Sequence, residues 1–135
     1  MSERPGVGLA VVLRRSDTVL LGRRKSEHGE GTWGFPGGHL EYSETWAECA
    51  KRECQEETGL TPENVRFWTA TNDFFASGKH YVTLFMVADS FDGKARVLEP
   101  EKCEEWRWIK WSDLPPNIFL PIHNLIKDGY NPFTI

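Results

Sequence analysis

The chain has 135 residues, 39% of them apolar, and a formal charge of −4, a length that carries one hydrophobic core and one domain, residues 1–135. Such a charge excludes a general nucleic-acid-binding surface, which needs a surplus of Lys and Arg, and no stretch reaches the roughly 18 apolar residues of a membrane span. The residues before Val7 show no apolar signal core, so a cytoplasmic protein is expected. Cys49, Cys54 and Cys103 are odd in number and lack CxxC spacing, which predicts reduced, mostly buried thiols in place of a disulfide framework or a zinc site.

Val7 to Leu13 is a nearly unbroken apolar run, and Thr18 to Leu21 follows after Arg14-Arg15-Ser16-Asp17. That pattern predicts two strands joined by a tight turn. Residues 25–34 are polar and Gly-rich and read as a loop. Phe35-Pro36-Gly37-Gly38 reads as a turn whose glycines let another group approach the main chain closely. Thr45 and Glu48 have the chemistry of a capping box and Gly59 that of a C-terminal stop, which predicts a helix over Trp46 to Thr58. Val65 to Phe75 and His80 to Val87 read as two strands joined through Ala76-Ser77-Gly78-Lys79. Glu104 to Trp111 is a further strand, with Trp106, Trp108 and Trp111 assigned to packing or a dimer surface, and Ile118 to Lys127 has helical spacing up to Gly129. Helices and strands mix without strict alternation, which favours an α+β or layered αβα domain.

The helix over 46–58 carries its charges on an unexpected side. At 100° per residue, Trp46, Cys49, Ala50 and Leu60 all fall within about 60° of Glu53, so the apolar sector centres on a carboxylate. Glu57 lies in the same sector and Glu56 on its edge, while Lys51, Gln55 and Glu48 lie opposite. Carboxylates at i, i+3 and i+4 stand roughly 5 to 6 Å apart; partly removed from water, they raise one another's pKa unless something neutralises them. Mg²⁺ suits such oxygen donors, whereas zinc would ask for His or Cys. Arg52, one residue before Glu53 and four before Glu56, can brace the group laterally. Local spacing leaves two readings open, a cation site or a surface helix laced with Arg–Glu pairs.

A longer pattern extends this one. Gly38, five residues, Glu44, seven residues, Arg52-Glu53, an apolar position, any residue, Glu56-Glu57, any residue, Gly59 and Leu60 match the Nudix box. Cys54 fills a position usually held by Ile, Leu or Val, as a small hydrophobe can. The chain thus resembles the Nudix hydrolases, and Leu20–Arg24, Pro36–Glu41, Glu99–Lys102 and Asp128–Phe133 resemble the small MutT-type nucleoside-triphosphate diphosphatases, especially a eukaryotic subgroup. The resemblance implies the Nudix fold, an αβα sandwich around a mixed central sheet, and a homodimer. It implies hydrolysis of a nucleoside triphosphate, dGTP-like or an oxidised purine nucleotide such as 8-oxo-dGTP, to monophosphate and diphosphate. Mg²⁺ or Mn²⁺ would be held by Glu53 and Glu57, with Glu56 third and the Gly37 carbonyl joining them. Arg52, Glu53, Glu56 and Glu57 are the catalytic candidates. The proton acceptor could be Glu53, Glu56 or a glutamate of the stretch Glu99, Glu101, Glu104, Glu105. Arg24, Gly37 and Gly38 are candidates for phosphate, and Phe35, His39, Thr83, Phe119 and Leu120 for the base. Two alternatives remain: a different diphosphate such as a prenyl diphosphate, and a non-catalytic nucleotide-binding Nudix module, against which the intact box glutamates speak.

Overall fold

The computed structural model describes residues 3–26 and 28–135. Strand β1 (Gly6–Arg15) explains its own sequence: Leu9, Val11 and Leu13 pack into one apolar layer and Val12 into another. A strand covered on both sides has no reason to alternate polar with apolar residues. It turns through Ser16, at φ 54°, into β2 (Thr18–Arg24), the predicted hairpin.

Around this pair the sheet runs β3 (Trp33–Gly34), β2, β1, β7 (His80–Ala88), β6 (Arg66–Phe74), with β4 (Gly37–His39) also on β1 and β9 (Cys103–Lys110) also on β2. Strands β1 and β7 run parallel, in register from Gly6↔Tyr81 to Leu13↔Ala88, while the other strand pairs described are antiparallel. The central sheet is mixed, as expected. A separate ribbon joins β5 (Thr61–Glu63) to β8 (Ser90–Asp92), which the sequence reading lacks because each strand is three residues long.

Helix α1 (Trp46–Thr58) and helix α2 (Leu120–Lys127) cover opposite faces. Cys49, Ala50 and Cys54 of α1 pack with Leu9, Val11, Leu20 and Met86. Ile122 and Leu125 of α2 pack with Val12, Val19, Leu21, Phe85 and Val87. Neighbouring residues of β1, β2 and β7 therefore divide between the two layers, and the α+β, αβα reading holds. All three cysteines are free and buried. Among the described residues no helix is long and apolar enough to cross a membrane.

Three expectations need correction. The segment read as a turn at 35–38 is a turn only in part, because Gly37 to His39 form β4. Paired with β2 only at Arg14 and Arg15, β1 has a free edge farther back, and Gly8, Leu9 and Ala10 pair there with β4. Trp46, placed in the apolar sector by the wheel, is 42% exposed and rests on Phe67. Helix α2 starts two residues later than its spacing predicts, with Pro121 in the first turn, where a missing N–H costs no hydrogen bond.

Gly37 is held by close approach: a Cβ there would overlap the backbone oxygen of Leu9, and neither strand can yield without breaking the β1–β4 pairing. Gly37→Ala is expected to destabilise the protein by about 1–3 kcal/mol, read from the urea midpoint; an unchanged midpoint would contradict this packing.

Candidate active site

Helix α1 is placed by its ends. Thr45 accepts from the Glu48 N–H while the Glu48 side chain accepts from the Thr45 N–H, and Gly59, at φ 79°, closes the helix with an N–H donated to the Gln55 carbonyl. This is the capping box and stop expected from sequence, and it sets which residues face the sheet. Glu53 and Glu57, one turn apart, are turned toward β4. The Gly37 N–H donates to Glu57 Oε2 at 3.0 Å. Gly38 has no room for a side chain, because a Cβ would overlap the Glu53 carboxylate.

The two carboxylates differ in support. Burial, reinforced by the adjacent Glu53, pushes the Glu57 carboxyl well above its ordinary value; the Gly37 N–H offsets this only in part. Glu53, 14% exposed, accepts from Arg52 Nη1 at 2.7 Å. The same guanidinium grips both oxygens of Glu44, with Nε at 2.7 Å and Nη2 at 3.0 Å. It also reaches Glu56 at 3.4 Å and the His39 carbonyl at 3.3 Å. Arg52 beside it draws the Glu44 carboxyl down to about 2. A bidentate guanidinium of this kind fixes direction as well as charge, so Arg52 braces Glu53 from the side.

Two box residues stand outside the cleft described below. Glu56 is 51% exposed, turned to Arg52 and absent from the cleft described below; the wheel puts it on the edge of the sector, and three residues from Glu53 it rotates out of the groove. Arg52 lies outside the cleft too and touches it through Glu53.

Among the described residues, no three His, Cys, Asp or Glu side chains converge as a ready-made metal shell. What they do supply is a pair of carboxylates, Glu53 and Glu57, with the field of Glu99 adding further negative charge at Glu57. That donor set fits Mg²⁺ or Mn²⁺, which accept a few carboxylates and take remaining oxygens from water and substrate. Zinc-type donors are not gathered about the pair: among the described residues the cleft holds Cys103, whose buried thiol donates to the Glu105 carbonyl, and His28 and His39, which form no cluster with the carboxylates. Of the later acidic stretch Glu99, paired with Lys102 at 3.7 Å, is the one whose charge reaches Glu57; Glu104 pairs with Arg23, Glu105 with Arg107, and Glu101 is exposed.

The carboxylate pair forms one wall of a charged cleft whose other walls carry Arg24, Lys79 and Lys102. An aromatic cup of about 630 Å³, open mouth included, adjoins it, with Phe35, Phe75, Tyr81 and Phe119 around it and Thr83 at its floor. Cleft and cup share Arg24, His28, Phe35, His39 and Tyr81. Arg24 stands at the junction, its guanidinium 3.9 Å over the Phe119 ring and its Nε donating to the His28 carbonyl at 3.0 Å. His39 stacks on Tyr81 at 5.5 Å, and burial among aromatic rings lowers the pKa of His28.

Arg24, Phe35, Gly37, Gly38, His39, Thr83 and Phe119 are thus brought together as expected, and Leu120 is not. It lies in a neighbouring groove with Ile118 and His123, while Pro121 and Ile122, the next residues of the helix, take the cup. Tyr81 escapes the sequence reading although the period of two that places Thr83 also places Tyr81 on its face. Lys79, His28 and Phe75 arrive on loops and carry no local signal of a site, and Lys102, also on a loop, enters the sequence reading only as the end of the Glu99–Lys102 resemblance. Trp106 lines the cleft and donates from Nε1 to the Glu57 carbonyl at 3.3 Å, whereas Trp108 packs on Phe91.

A family model described as NUDIX domain matches residues 3–128. The chain belongs to the Nudix family. It is a Nudix pyrophosphohydrolase, of a family that generally uses a divalent metal. The structure is similar to a MutT Nudix hydrolase from Burkholderia pseudomallei, at 29% identity and TM-score 0.88 over 95% of this chain and 100% of the other. It is also similar to MutT from a study of the Aliivibrio salmonicida and Vibrio cholerae proteins, at 26% identity and TM-score 0.62, with 79% and 81% covered. The NUDIX domain of Shewanella oneidensis NrtR, complexed with ADP ribose, shares the fold at 19% identity and TM-score 0.75, with 94% and 88% covered.

The raised Glu57 carboxyl has a stability consequence. Folding favours its protonated form, so its contribution is fully present below about pH 4.5, the ordinary value, and is lost as pH rises toward the folded-state value. In chelator, Glu57→Gln should therefore flatten the pH profile of thermal stability and raise Tm at pH 8 by about 3–8 °C. A variant less stable than the parent at pH 8, with the same pH slope, would contradict the strained carboxylate.

Proposed function

We propose that the protein is a Mg²⁺- or Mn²⁺-dependent hydrolase that splits a nucleoside triphosphate, dGTP-like or an oxidised purine nucleotide, into monophosphate and diphosphate. The observation that carries this reading is the continuity of the aromatic cup with the cleft of paired carboxylates and cations. Aromatic walls suit a flat base, and cations beyond it suit a phosphate chain.

In this reading Glu53 and Glu57 hold the cation, with Gly37 beside them, and Arg52 keeps Glu53 aimed. A cation bound there neutralises phosphate charge and acidifies a water. Arg24, Lys79 and Lys102 bind phosphate oxygens and hold the chain along the cleft, a positioning role that phosphoryl chemistry rewards strongly. Gly38 leaves main chain open beside Glu53. Phe35, Tyr81 and Phe119 flank the base, with His39 behind Tyr81. Glu99 is the loop glutamate best placed to take the proton, while the exposure of Glu56 argues against it. A prenyl diphosphate is the second reading, favoured by the apolar faces of Phe35, Phe75 and Phe119; the polar floor at Thr83 favours a base.

The test is diphosphate release from a panel of nucleoside triphosphates, with geranyl diphosphate included, in Mg²⁺ and in chelator. Turnover of a purine nucleotide is expected only with the cation. Glu53→Gln and Glu57→Gln should each lower kcat by about 10²-fold or more, since charge stabilisation by the cation is worth several kcal/mol, and Arg24→Ala should chiefly raise KM. Full activity in chelator, near-parental activity in Glu53→Gln, or geranyl diphosphate as the sole substrate would defeat the proposal.

A further inference from the structure

A buried polar network lies behind the aromatic cup, and its centre, Asp73, takes no part in the chemistry above. Asp73, on β6, is fully buried, and three donors converge on it. Thr83 Oγ1 donates to Oδ2 at 2.5 Å, Thr71 Oγ1 to the same oxygen at 3.2 Å, and Asn124 Nδ2 to Oδ1 at 2.8 Å. A carboxyl so deep must have its oxygens satisfied, and the strand register delivers the donors. Thr71 faces Thr83 across β6 and β7, and Asp73 faces Tyr81, so all four project from one side of the sheet. Asn124 closes the network from α2.

Of the three donors only Thr83 also lines the cup. A hydroxyl carries one proton and two lone pairs. With the proton directed at Asp73, the group that Thr83 shows to the cup is an acceptor. Gly8 keeps that oxygen open from the side of β1: even a Cβ there would stand 3.8 Å from Thr83 Oγ1.

We propose that Asp73 is a positioning residue that fixes Thr83 as a hydrogen-bond acceptor in the cup, selecting a nucleobase whose edge presents an N–H donor, such as the ring N–H or exocyclic amine of guanine. This rests on the nucleotide reading above. Asp73 touches no substrate and acts through the direction of one proton. A base edge with only bare ring nitrogens sets lone pair against lone pair at Thr83, and a buried polar group left unpaired penalises binding heavily.

The experiment compares kcat/KM for dGTP with that for the deoxyribonucleoside triphosphate of unsubstituted purine, whose edge has no N–H donor. In Asp73→Asn the amide Nδ2 can donate to Thr83 and turn its proton into the cup. The dGTP-to-purine preference should fall by about tenfold or more, mainly through the KM for dGTP. Thr83→Val should lower the same ratio, and the double variant should fall no further than Thr83→Val alone. Thr71→Val loosens the same network away from the cup, so it should lose stability and keep the parental ratio. Equal losses for both substrates in Asp73→Asn would show a structural role only and overturn the proposal. If Asp73→Asn does not fold, an unchanged ratio in Thr83→Val overturns it instead. A parent protein that hydrolyses no nucleoside triphosphate overturns the nucleotide reading and this inference with it, whereas turnover with an unchanged ratio overturns this inference alone.

Discussion

Two carboxylates, Glu53 and Glu57, are pressed together on the inner side of a helix, and much of the surrounding structure serves to hold them there. Left alone they would repel and seek water. The Gly37 N–H holds one of them and Arg52 holds the other. Gly37 and Gly38 lie so close to the helix because β4 is pinned to the free edge of β1, where Gly37 leaves room for Leu9, and because Gly38 has no side chain to meet Glu53. The helix in turn cannot rotate away, because its capping box and left-handed Gly59 fix both ends and its Cys49, Ala50 and Cys54 are locked into the apolar layer. The rigid part of the fold thus sustains an arrangement that is unfavourable by itself, and a divalent cation would relieve it.

The other face of the sheet supplies shape. Helix α2 and the β6–β7 hairpin meet over Phe85, Thr83 and Ile122, with loop residues His28, Phe75 and Phe119 closing the rim. Arg24 joins this face to the charged cleft, held between the ring of Phe119 and the field of Glu57. Chemistry near α1 and recognition near α2 are therefore built from different layers, which lets the recognition side vary without disturbing the carboxylates.

What was legible in the sequence was local. Thr45, Glu48 and Gly59 mark α1 to the residue because capping rules act over three or four positions, and the helical wheel separates Glu53 and Glu57 from Glu56 by angle alone. The Nudix box then ties these residues to Gly38 and Glu44. Nonlocal features were hidden. That residues 37–39 form a strand depends on the unpaired edge of β1, and nothing within the segment reports it. Lys79 and Lys102 enter the cleft from loops far apart in the chain. In β6 the pattern misleads by its polarity: Thr69, Thr71 and Asp73 are the buried residues and Ala70 and Phe74 the exposed ones, so a reading that sends polar residues outward turns the strand over. Leu120 and Ile122 look equivalent in composition, and only the late start of α2 decides which of them meets the cup.

The central claim, that the Glu53 and Glu57 carboxylates are held for a divalent cation, is tested most directly by titrating Mn²⁺ and reading the free ion by electron paramagnetic resonance. The protein should take up the ion, and Glu53→Gln and Glu57→Gln should each weaken uptake by about tenfold or more, as loss of a ligand at a site with so few carboxylates requires. Glu56→Gln, outside the cleft, should change it little. Uptake that survives both Glu53→Gln and Glu57→Gln, or that is lost in Glu56→Gln alone, would contradict the account.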